Sequence, residues 1–212
     1  MTAVADPLVR TRSGTRALLL AGVCAGPFFV VSSLAQVLTR DGFDLRRHAL
    51  SQLELGRLGW LQTATFVLTG LGVIALAAGW RRTVATGPLP VLLGIFGAGL
   101  AVAGLALPDA ENGFPAGAPD ARVPEMSGHA VVHATAAVLA FTALAGACVT
   151  HTVRSIRRRA TAPAVLSGLV AVVLLLPAPA AHASVQLALT GLISFAWTTA
   201  LALSALATRT DR

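Results

Sequence analysis

The chain has 212 residues, of which 55% are hydrophobic and 12% charged, with a formal net charge of +7. A mean hydropathy of +0.75 leaves too little polar surface for a soluble domain of this size, and the absence of alternating strand patterns argues against an outer-membrane barrel. The sequence pI of about 11.5 comes from sixteen arginines and no lysine, placed for membrane orientation rather than for nucleic acid.

The pattern predicts an all-α, polytopic bundle of six transmembrane helices: a tail at 1–16, a membrane domain at 17–207 and a tail at 208–212. The first span covers roughly 17–38. Arginines, an apolar run and Ser33-Leu34-Ala35 imitate a signal peptide, but the run is long for one and more spans follow, so it is read as a retained helix. Gly22 and Gly26 form a GxxxG face that could serve packing within the bundle or a homo-oligomer. The first long loop should hold a short interfacial helix from about Asp44 to Leu55, with Asp44 as N-cap and Gly56 as stop. Leu45, Ala49 and Leu53 would form its apolar stripe. The second span, roughly 59–80, is bracketed by Trp60 and Trp80 as interfacial anchors, with Gln62 at its outer end. The third, roughly 89–107, lies between Pro88 and Pro108. A Pro- and Gly-rich second loop follows, irregular and able to fold back as a lid. The fourth span is roughly 129–150. Pro177, Pro179, His182 and Ser184 divide the remaining apolar stretch into a short fifth helix, 163–179, and a sixth ending near 207.

Arginine asymmetry sets the orientation. One set of segments carries eleven arginines against two acids, and the other carries five against seven. The first set should be cytoplasmic, which puts both termini inside a cell membrane. The span interiors lack ionisable residues, which argues against an ion channel or proton pump. His48, His129, His133 and His182 all map to the outer half.

His129 and His133 stand at i and i+4 and share a helix face. Such a pair could bind a divalent metal such as zinc, with Asp109, His48 or His182 as third ligand, or could simply bond loop carbonyls. Haem fits poorly, because two histidines on one helix cannot clamp one iron. Asp44, His48 and Ser51 have the residue types of a hydrolytic triad on one stripe, though a single helix rarely supplies that geometry. Cys24 and Cys148 fall in apolar segments and read as packing thiols.

The stretch GFDLRRHALSQLELGRLGW carries Gly42, Phe43, Asp44, His48, Ser51, Leu53, Gly56, Gly59 and Trp60. The later loop carries Asp109, Gly113, Phe114 and Pro115, followed by Gly128, His129 and His133. In these features the chain resembles the domain-of-unknown-function 998 family of prokaryotic six-span proteins, from about 17 to 207. Ala49 stands where relatives often have proline. The resemblance implies the fold and the membrane but no activity. It also groups His48, Ser51, Asp109, His129 and His133 as one outer-face constellation. The expected function is binding of a membrane lipid or amphipathic small molecule in a polar outer-leaflet pocket lined by these residues. The alternatives are a metal-assisted hydrolase or other lipid-modifying enzyme using His129, His133 and Asp109, and a structural or partner-binding protein.

Overall fold

A computed structural model describes residues 7–84, 86–177 and 182–210, with side chains over 13–84, 86–177 and 182–208. Among these residues there are six α-helices: α1 Pro7–Thr39, α2 Gly59–Thr83, α3 Pro88–Leu105, α4 Gly128–Arg157, α5 Thr161–Leu175 and α6 Ala183–Thr210. A 3-10 helix, Leu50–Glu54, interrupts the first long loop. No strand occurs among the described residues. Five of the helices are long and apolar enough to cross a membrane. Large apolar side chains such as Val31, Leu38, Val138 and Leu166 point outward from the bundle. Exposed apolar surface on every side is unfavourable in water and expected in lipid.

Successive helices run antiparallel. Ser32 meets Thr65 across α1 and α2, His133 meets Ala103 across α4 and α3, and Gln186 at the start of α6 reaches the Pro177 carbonyl beyond α5. The bundle therefore has a loop end, carrying residues 40–58 and 106–127, and an arginine end. At the arginine end, Arg81 and Arg82 close α2, and Arg154 and Arg157 close α4. Cationic side chains there complement the negative ends of the helix dipoles.

The core is aliphatic with an aromatic chain through its middle. Phe29 stacks on Phe195 at 4.3 Å and meets Phe66 edge-on at 5.4 Å, while Phe96 meets Phe141 and Phe195. Close backbone approach holds α2 against α3: a Cβ on Gly97 would fall 2.6 Å from the Gly70 carbonyl oxygen. The GxxxG glycines are used in the same way. Gly22 faces Leu76 of α2, and Gly26 faces the Phe195 carbonyl of α6. They pack the bundle from within.

Three expectations change. The fifth helix, expected over 163–179, is Thr161–Leu175. Leu176 is already extended, as a residue before proline prefers; 178–181 lie outside the described residues. At 15 residues it rises about 22 Å, short of the roughly 30 Å hydrocarbon layer. Trp80 is buried instead of anchoring an interface, whereas Trp60 is exposed as expected. The loop helix Asp44–Leu55 is replaced by a turn after Asp44 and then the 3-10 helix. Gln52 Oε1 accepts the Ala49 N–H at 3.0 Å, so Ala49, extended at φ −67° and ψ 151°, starts a new helix. Gly56, at φ 74°, ends it in the left-handed region that suits glycine.

Candidate functional site

The second loop folds onto the first as the expected lid. His48 is the pin between them and is almost fully buried. Its Nδ1 accepts the Asp44 N–H at 2.9 Å, and its Nε2 faces the Asn112 carbonyl at 2.9 Å. A carbonyl can only accept, so Nε2 carries the proton. Both nitrogens are spent, and His48 is a strut. Gln52 Nε2 donates to the Glu111 carbonyl, Arg47 pairs with Asp120, and Phe43 packs edge-on against buried Phe114.

The remaining candidates are dispersed. Asp109 accepts the Ser127 N–H at 2.9 Å, and its hydrogen bonds to Ser127 hold its carboxyl below the usual carboxylate range. Ser127 in turn caps α4 by accepting from the Ala130 N–H. His129 is exposed, and Ser51 is half-buried in the 3-10 helix. His133 points inward, its Nδ1 shared between the Ala103 and Ala106 carbonyls at 2.8 and 2.9 Å. It thereby closes the C-terminus of α3, where carbonyls lack helical partners. Among the described residues, no three His, Cys, Asp or Glu side chains converge into a set that could hold a metal ion. The trio His129, His133 and Asp109 is therefore not assembled, because Asp109 is turned to Ser127 and His129 faces outward.

What His133 does meet is Glu54. Glu54 Oε2 lies 3.6 Å from His133 Nδ1, too far for a hydrogen bond, and the glutamate side chain has no solvent exposure. Neither carboxyl oxygen has a hydrogen-bond partner among the described residues. Burial pushes the carboxyl up to about 8, because removal from water penalises the charged form. Gly59 lets the backbone seat it: a Cβ there would collide with the Glu54 carbonyl.

Beside this pair runs a polar seam between α1 and α2. Gln36 Nε2 donates to Gln62 Oε1 at 2.8 Å, and Gln62 Nε2 donates to Ser33 Oγ at 3.2 Å. Ser32 and Thr65 share a 2.6 Å bond one turn deeper. Gln36 Oε1 is buried and unpartnered. Gln62, at the outer end of the second span, meets Gln36 and Ser33 rather than a candidate histidine; Glu54, Gln36, Ser33 and Thr65 are polar groups that the sequence reading did not single out. Further along the same seam, a groove of about 410 Å³ is lined by Ala21, Cys24, Ala25, Phe28, Leu68, Leu71 and Gly72. It contains none of the candidate histidines.

The arginine end holds a second histidine centre. Trp197 Nε1 donates to Ser167 Oγ at 3.0 Å, and Ser167 Oγ lies 2.9 Å from His151 Nδ1. The indole N–H can only donate, so Ser167 Oγ accepts from Trp197 and keeps a second lone pair and its own proton for His151. Trp80 and Trp197 meet the His151 ring edge-on at 6.1 and 5.9 Å.

Helix lengths, outward apolar side chains and an internal polar seam define a multi-pass helical membrane protein. A family described as "Protein of unknown function (DUF998)" matches residues 23–205, and the chain belongs to it. No curated protein and no solved structure matches the chain.

Proposed function

We propose that the chain lies in the cell membrane with its arginine end and both termini in the cytoplasm, and that it binds a lipid or other amphipathic small molecule from the outer leaflet. The observation that carries this reading is the form of the α1–α2 seam. An apolar groove opens to the lipid side, and the same two helices become polar toward the loop end. Phe28 of the groove stands one helical turn from Ser32, and Leu68 stands one turn from Thr65. A hydrocarbon tail in the groove would bring its head group to Ser32, Thr65, Gln36 and Gln62. The groove is in the size range of small-molecule sites, roughly 300–1,000 Å³. The arginine bias supports the orientation.

Native mass spectrometry of the detergent-purified chain tests the reading. A co-purifying amphiphile should appear with the native sequence and be lost in Cys24→Trp, which fills the groove from its exposed α1 side. The same adducts on both chains, or none on either, would contradict it. A reporter fused after Arg212 should be active only in the cytoplasm.

A further inference from the structure

Resting on the amphiphile reading, we propose that Glu54 is the head-group subsite and that it takes a cationic amine in exchange for the proton of its carboxyl group. Among the described residues, three buried oxygens at this end have no hydrogen-bond partner: both of Glu54 and Oε1 of Gln36. The Ala106 carbonyl shares the single His133 Nδ1–H with the Ala103 carbonyl, which also accepts the Ala106 N–H at 3.2 Å. They sit at the C-terminus of α3, the negative end of its dipole. Buried acceptors without donors are costly, and a cation with N–H groups supplies what is missing.

The subsite connects to the seam through two side chains. Gln36 stands one turn before Arg40, whose guanidinium donates to the carbonyls on either side of Glu54, those of Leu53 and Leu55. Gln62 stands one turn before Phe66, whose ring meets His133 edge-on at 6.3 Å. The seam is therefore linked to the backbone around Glu54 through Arg40 and to His133 through Phe66.

The exchange balances. The O–H bond of protonated Glu54 breaks and the proton leaves to water, while the carboxylate forms an ion pair with the incoming ammonium. One monocation enters and one proton departs. Among the groups packed around Glu54, α1 brings Arg40, committed to backbone carbonyls, and α4 brings His133. At this end α2 and α3 bring no titratable side chain. The second loop brings Glu111, which accepts the Val123 N–H, and Asp109, held by Ser127. The one group that must lose a proton is Glu54. Since its carboxyl is pushed up to about 8, amine affinity should rise about tenfold per pH unit below that value and level off above it.

The probes are dodecylammonium and dodecanol, added to the full chain in phosphatidylglycerol nanodiscs. Calorimetry in two buffers of different ionisation heat reports affinity and proton release together. The proposal expects dodecylammonium to bind with release of nearly one proton at about pH 6. Its affinity should climb toward about pH 8, while dodecanol binds without pH dependence. Glu54→Gln should remove the proton release and the pH dependence and leave dodecanol binding intact, which also shows that the variant is folded. Dodecylammonium binding without proton release, or unaltered in Glu54→Gln, overturns the head-group assignment while the amphiphile site stands. If neither probe binds, both readings fall. Adding phosphatidylethanolamine separates two sources of the amine: competition identifies a lipid head group, and its absence a free amphiphilic amine.

Discussion

The two ends of the bundle each draw a histidine inward and treat it differently. At the arginine end, His151, Ser167 and Trp197 form a hydrogen-bonded chain. Among the described residues, the buried polar atoms left open toward that end, the Trp80 indole N–H and Thr199 Oγ1, belong to neutral groups. At the loop end, His133 spends its Nδ1–H on α3 and leaves an ionisable acid beside it with both oxygens unmatched. A network of neutral groups specifies packing, whereas an unmatched buried carboxyl costs stability that a structural role does not explain. The contrast is the reason the site is proposed at the loop end and the arginine end is read as architecture.

Substitutions can break that contrast, and the largest effect should come from Gly59→Val. A side chain there would drive into the Glu54 carbonyl, so the loop must move, at a cost of about 3 kcal/mol or more. A fall in melting temperature and increased protease cutting within the loop would be measured. Glu54→Gln should act in the opposite direction. The folded carboxyl titrates near 8 against an ordinary value of 4.5, so the unfolded chain ionises first as pH rises. The native protein therefore loses stability across that window. The variant lacks this loss. It should melt higher than the native chain at about pH 9, and the gap should close by about pH 5.

His48→Ala sharpens the comparison within the loop end. It leaves the Asp44 N–H and the Asn112 carbonyl unpaired, for a cost of about 2 kcal/mol. Hydrogen exchange should quicken around residue 112, while the Glu54 carboxyl keeps its raised titration. Ser167→Ala is the control at the other end. It should cost about 1–2 kcal/mol by stranding the Trp197 indole and leave ligand binding at the loop end unchanged.

The helices are legible in the sequence because hydropathy, proline punctuation and arginine bias agree. The lid is legible in the Pro- and Gly-rich loop, and His133 in its spacing from His129. Glu54 is not legible, for two physical reasons. A lone glutamate in a loop is ordinarily solvated. A helical period across 44–55 also turns Leu45, Ala49 and Leu53 inward and Glu54 away. The chain instead restarts at Ala49 as a tighter 3-10 helix, which buries Gln52, Leu53 and Glu54 in succession. The signal that could have exposed it is local: Gly56 and Gly59 flank a segment that must make a sharp stop and then a close backbone contact. Trp80 was hidden by a different ambiguity. A tryptophan next to Arg81 reads as an interface anchor, but its face is shared with Val73 and Leu76, which pack inward.

The most direct test is an infrared pH titration of the full chain in nanodiscs, following the stretch of a protonated carboxyl in the native sequence and in Glu54→Gln. The account predicts a native band that persists at neutral pH, disappears around pH 8 and is absent from the variant. A band that vanishes near the ordinary glutamate range, or survives the substitution, would contradict it.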